Sequence, residues 1–301
     1  MLITDRFVYI HEPKTGGTFV KEALYRVHLP GEEQPRPPSH APELKRDGFL
    51  QKGHIFLNKV SRRWRTLLGS DVERRENMSS HTFNTRYGTI TFWENEEHGA
   101  NKHGGRAEIP KEHRNKPIVA TVRNPYDLYV SEYMFGWWKK PRYRDQWTYV
   151  PEHFPDLTFD EYVRFINAED VRSSRIAARK IGHFSYRFLS FHSQELYKLA
   201  NSESLSSYLS GEDYRNDLND IHFLKTNQLN EQLYSFLLKM GYPERDIRFV
   251  RKLDKIKPPT PAEGTPRNTK RTWKTFYSSE TKRFVREKED VLFRLFPEFD
   301  V

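Results

Sequence analysis

Among its 301 residues the chain has no cysteine, which excludes a disulfide framework, a thiolate-ligated zinc site and a cysteine nucleophile. It also has no apolar run of about eighteen residues, so no segment reads as a membrane-spanning helix. No apolar h-region separates Met1 from the first strand, and the expectation is a soluble, cytoplasmic chain without a membrane partner. Internal repeats and low-complexity blocks are missing as well.

What is present in excess is positive charge. Fifty Lys and Arg against 41 Asp and Glu leave a net charge of +9, which suits an anionic small ligand and a nucleic acid equally well. The length fits one α/β domain over 1–301 with insertions, large enough to bury a full core.

The segment from Phe7 to Val20 is an apolar run feeding a Lys14-Thr15-Gly16-Gly17-Thr18 turn, and it reads as strand, loop and helix start. Gly16 and Gly17 let the backbone approach an anion, Thr15 and Thr18 offer hydroxyls, and the helix beginning at Phe19 supplies N–H groups and a positive dipole end. Lys14 adds a charge ahead of that cradle. The order differs from the Walker A loop, whose lysine follows its last glycine.

A second strand–turn–helix runs from Pro117 to Tyr133. Asn124 is a good N-cap and Pro125 a good first helical residue. Arg123 then closes the strand, and Ser131 lies about two helical turns beyond the cap. A guanidinium and a hydroxyl so placed can grip one phosphate together.

These two segments resemble those of the sulfotransferases that use 3′-phosphoadenosine 5′-phosphosulfate (PAPS). The first is similar to the family's Pro-Lys-Thr-Gly-Gly/Ala-Thr loop for the 5′-phosphosulfate. The second is similar to its 3′-phosphate motif, Arg-Asn/Asp-Pro followed by Ser eight residues after the Arg. Within the family the likeness is to the carbohydrate-type branch of uronosyl 2-O-sulfotransferases and bacterial enzymes, and it covers about a tenth of the chain, with weaker likeness at His222 to Leu229 and Arg271 to Phe299. Glu12 departs from the pattern, standing where the family has an apolar residue.

The resemblance implies that Lys14, Thr15, Gly16, Gly17, Thr18 and Phe19 hold the phosphosulfate, that Arg123 and Ser131 hold the 3′-phosphate, and that Lys270 and Arg271 belong to a basic loop over the cosubstrate. It implies sulfuryl transfer from PAPS to a hydroxyl on a carbohydrate, with no metal and no nucleic-acid partner. Lys14 would stabilise charge on the departing nucleotide, and a base near neutral pKa would take the acceptor proton.

Of twelve histidines, His103 stands at the spacing before Arg123 where relatives carry their catalytic histidine. His54, His81 and the carboxylates Glu94, Glu96 and Glu97 are the alternatives. A kinase or nucleotide hydrolase of P-loop type, and a non-enzymatic polyanion or nucleic-acid binder, remain competing classes. The oligomeric state is not legible.

Alternating strands and helices predict an α/β three-layer sandwich on a parallel sheet, with a P-loop-like first turn. Further strands are expected at Ile221 to Leu224 and Ile247 to Val250. A helix carrying Leu229, Leu233, Phe236 and Leu237 should end at Gly241, and a last helix should start at Ser278 or Ser279. Residues 29–115 read as an irregular insertion that builds the acceptor region, with Thr89 to Trp93 as a strand or hairpin arm. Trp137, Trp138, Tyr143, Trp147 and Tyr149, interleaved with cations, suit either a sugar platform or a packed helix end.

Overall fold

The structure is a computed structural model, and it describes residues 1–30, 78–95, 104–139, 150–168, 181–195, 202–254 and 272–301. Six strands form one sheet: β1 (Leu2–Thr4), β2 (Val8–Ile10), β3 (Met78–Thr85), β4 (Gly88–Asn95), β5 (Ile118–Val122) and β6 (Ile221–Lys225), in the order β3-β4-β1-β2-β5-β6. The ten α-helices among the described residues are α1 (Gly17–His28), α2 (Pro125–Phe135), α3 (Phe159–Asn167), α4 (His183–His192), α5 (Ser202–Ser210), α6 (Asp213–Leu218), α7 (Leu229–Lys239), α8 (Glu244–Ile247), α9 (Ser279–Lys288) and α10 (Asp290–Leu295).

The α/β class agrees with expectation, but the sheet is mixed rather than parallel. β2, β5 and β6 run parallel, whereas β1 pairs antiparallel with both β2 and β4. The reason lies in the first turn. Thr4 accepts the N–H of Phe7 (2.9 Å) and of Arg6 (3.2 Å) at its hydroxyl and folds the chain back, so Leu2 pairs with Tyr9. The expected arm at Thr89 to Trp93 is β4, and its partner β3 brings part of the 29–115 insertion into the sheet.

Period-two alternation divides the strands between two apolar clusters. Val8, Ile10, Ile118, Ala120 and Val122 join one cluster with α2, α3, α4, α9 and α10, while Tyr9, Val119 and Leu224 join the other with α1 and α7. Strands buried on both faces explain the nearly continuous apolar runs of β2 and β5.

Two expected elements need correction. Ile247 to Val250 is no strand: α8 ends at Ile247 and a 3₁₀ turn covers Arg248–Lys252, with Ile247 and Val250 buried three apart on one side. The last helix starts as expected, with the Ser278 hydroxyl accepting from the Thr281 N–H at 3.1 Å. It breaks at Glu289, whose buried carboxylate accepts the N–H groups of Phe184 (3.1 Å) and Ser185 (2.6 Å) at the start of α4.

Candidate functional site

The parallel strands β2, β5 and β6 end at the same edge of the sheet, where ligands of open α/β sheets bind. From β2 the chain enters the turn His11 to Gly16, and α1 begins at Gly17. Lys14 (φ 67°) and Gly16 (φ 100°) both take the left-handed conformation. A Cβ at Gly17 would lie 1.8 Å from Cδ2 of His11, so the imidazole occupies the space that a side chain at position 17 would need, and it would have to turn aside to admit one. At the start of α1 the N–H of Phe19 already bonds the Gly16 carbonyl, which leaves those of Gly17 and Thr18 ahead of the first intrahelical bond.

The side chains of the turn divide. Thr15 is buried, with its hydroxyl donating to the Glu12 carbonyl (2.9 Å) and lying 2.8 Å from the Thr121 hydroxyl, so it fixes the turn to β5 instead of facing outward. Thr18 is exposed, and Phe19 is buried in the core beneath α1, its N–H donating to Gly16 at 2.9 Å. The Lys14 ammonium rests 3.8 Å from the centre of the Phe135 ring on α2, in cation–π contact.

Arg123 follows β5 and donates to the Lys14 carbonyl at 3.3 Å. Burial lowers its pKa while Asp127 opposes that change, and an arginine stays charged. The Asn124 side chain accepts from the Tyr126 N–H at 2.9 Å, and Pro125 opens α2. Arg123 and Ser131, paired in the sequence reading, line a single open cleft of about 540 Å³ with Asp127, Val130, Met134, Thr272, Trp273 and Lys274. Thr226, after β6, donates to the carbonyls of Thr15 (3.1 Å) and Val122 (2.8 Å) and ties the two loops together.

Sequence reasoning missed Asp127, Trp273 and Lys274 in this cleft. The spacing of Asp127, Val130, Ser131 and Met134, at i, i+3, i+4 and i+7, was the available signal. Trp273 stacks on Tyr126 at 4.8 Å and 17°. Lys270 and Arg271 lie outside the described residues, and Thr272 resumes the chain at the cleft.

A buried ionic cluster under the turn was also missed. Glu12, 1% exposed, faces α4 rather than the cleft side of the loop. Arg187 of α4 donates through Nε to Glu12 (3.0 Å), through Nη2 to the Pro13 carbonyl (3.1 Å) and through Nη1 to Glu132 of α2. Burial pushes the Glu12 carboxyl up to about 7, against the pull of Arg187. Burial likewise pushes His192, 4.0 Å from Glu12, down to about 3. Glu132 also accepts the indole N–H of Trp137 at 2.9 Å. With Trp138 fully buried, the start of the aromatic run is a packed helix end, and 140–149 lie outside the described residues.

His103, His54, Glu96 and Glu97 also lie outside the described residues. His81 and Glu94 sit on the hairpin backbone, paired with Phe92 and Ser79. Because Leu2 pairs with both Tyr9 and Phe92, the end of β4 at Glu94 and Asn95 reaches the same sheet edge as the Lys14 turn. Gly104 resumes the chain against Met1, at that edge too, and Gly105 abuts the backbone of Phe191, one turn beyond Arg187.

Comparison with protein-family models, with curated proteins and with solved structures finds no match.

Proposed function

We propose that the protein is a PAPS-dependent sulfotransferase acting on an acceptor hydroxyl, with a carbohydrate as the acceptor class, built as a three-layer sandwich around a P-loop-like turn. The observation that carries this reading is the convergence of the Lys14 turn and the Arg123–Ser131 cleft at one edge of the parallel strands, joined by the Arg123 to Lys14 hydrogen bond. Two anion grips a short distance apart suit a nucleotide phosphorylated at both its 3′ and 5′ positions.

In this mechanism Arg123 and Ser131 hold the 3′-phosphate, and the turn with Thr18 and the first N–H groups of α1 holds the phosphosulfate. Val130, Met134 and Trp273 add apolar surface to the cleft. The acceptor oxygen attacks sulfur as the bridging bond to the phosphate breaks in line, and the electron pair of that bond leaves with the nucleotide. Lys14 turns from the Phe135 ring to meet the growing charge. The acceptor proton goes to His103, an assignment supported by the family spacing and by the arrival of both Asn95 and Gly104 at this edge.

Calorimetry tests the cosubstrate. The protein should bind 3′,5′-ADP more tightly than 5′-AMP by about tenfold or more, the worth of charge-assisted hydrogen bonds to the second phosphate. Equal affinities would reject the grip, and magnesium-dependent ATP turnover would favour a kinase. His103→Ala should lower turnover roughly a hundredfold with nucleotide affinity retained, and loss in His54→Ala or His81→Ala instead would move the base.

A further inference from the structure

The sulfuryl-transfer reading leaves unused the densest ionic cluster near the turn. Arg187 is nearly buried, and its three donor nitrogens go to three different acceptors: the Glu12 carboxylate, the Pro13 carbonyl and the Glu132 carboxylate. Two of those acceptors immediately precede Lys14, and the third immediately follows Ser131. A planar guanidinium can satisfy three acceptors at fixed angles, whereas an ammonium of lysine is a point charge on a flexible stem.

The surroundings make the arrangement rigid. Glu12 and Glu132 are 1% and 3% exposed, so neither carboxylate can exchange Arg187 for water without opening the core. Glu132 is held further by the Trp137 indole, and the Arg187 guanidinium lies 4.5 Å from the centre of the Phe184 ring on its own helix. The left-handed backbone of Lys14 is a conformation that a non-glycine residue keeps only when its neighbours over-determine it. The bond from Arg187 to the Pro13 carbonyl acts on the peptide group that leads into Lys14.

We propose that Arg187 is a positioning residue that clamps the Lys14 turn to the Ser131 helix through Glu12, Pro13 and Glu132, and so sets where the Lys14 ammonium meets the leaving group. Its kinetic consequence rests on the sulfotransferase reading; the clamp itself does not. Glu12, the departure from the family pattern, is then the turn's own half of the clamp.

The test uses the full chain with Arg187→Lys, and Glu132→Gln as a second variant that keeps shape and removes charge. In hydrogen exchange, the amides from Lys14 to Thr18 should exchange about tenfold or more faster in Arg187→Lys, with β5 and β6 unchanged. Glu132→Gln should shift the same amides in the same direction. Wild-type exchange of the turn in both variants would overturn the clamp, whatever the enzyme's activity.

Turnover then tests what the clamp does. Arg187→Lys should lower kcat about tenfold to a hundredfold, the cost of an ångström-scale misplacement, with 3′,5′-ADP affinity retained. In a Lys14→Ala background the same substitution should have little further effect on kcat, because its action passes through Lys14. An equal loss in both backgrounds would overturn the positioning role. A wild-type protein that neither binds 3′,5′-ADP nor turns over PAPS would sink the sulfotransferase reading, and the exchange result would still decide the clamp.

Discussion

Lys14 is the residue on which the proposed chemistry rests, and its backbone is under constraint. Its φ of 67° costs an L-residue about 1–2 kcal/mol, offset by the surrounding bonds to Pro13 and to its own carbonyl. Because the ammonium would meet charge that grows only as the bridge bond breaks, Lys14→Ala should lower kcat at saturating PAPS, by about a hundredfold. On the proposed reading Arg123 would make a contact equal in ground and transition states, so Arg123→Ala should mainly raise the KM for PAPS. Steady-state kinetics on the two variants checks the contrast, and an unchanged kcat in Lys14→Ala would sink its role. Gly17 makes a separate claim, since its missing Cβ is what admits the His11 ring. Gly17→Ala should weaken nucleotide binding by forcing the His11 ring aside, and adding His11→Ala should restore part of it by making room; calorimetry on single and double variants reads this non-additivity.

At the scale of elements, what was legible in the sequence was what local chemistry decides. The turn after β2, the Asn124 cap, the Pro125 start of α2 and the Gly241 stop of α7 each follow from residues within a few positions of one another. The Arg123–Ser131 pairing was legible for the same reason, being a spacing on one strand–helix unit. Contacts across long stretches of chain were not. Nothing local announces that Arg187 meets Glu12, or that the short apolar run at Ile247 to Val250 packs as helical turns. The break at Glu289 is of the same kind: its carboxylate caps α4 and accepts the Tyr129 hydroxyl at 2.5 Å, a demand from another element. Glu289→Ala should therefore lower unfolding free energy by about 2–4 kcal/mol, with Glu289→Gln, which keeps an acceptor, losing less. Urea denaturation measures both, and equal stability of Glu289→Ala and wild type would show that α4 needs no such cap.

Over the whole molecule the buried titratable groups pull stability in opposite directions as pH changes. Burial depresses His28 to about 4, where its ring nitrogens sit 3.0 Å from Thr85 and 2.8 Å from the Tyr242 hydroxyl, and depresses His192 to about 3. Between those values and the usual 6.5 the unfolded chain binds more protons at these sites, so their contribution is present at neutral pH and lost as pH falls. Glu12 is the reverse. With a folded pKa near 7 against the usual 4.5, the native state binds the extra proton, and stability is lost as pH rises from about 4.5 to 7. The raised pKa of Glu289 acts in the same direction as Glu12. Each group contributes at most about 1.4 kcal/mol per pH unit within its window. Urea denaturation from pH 4.5 to 7 should then give variant slopes that diverge from wild type. Glu12→Gln removes a term that falls with pH, so its stability should rise more steeply toward neutrality. His28→Gln removes a term that rises with pH, so its stability should rise less or decline. Variants that both keep the wild-type slope would show that neither group is held away from its ordinary pKa by burial.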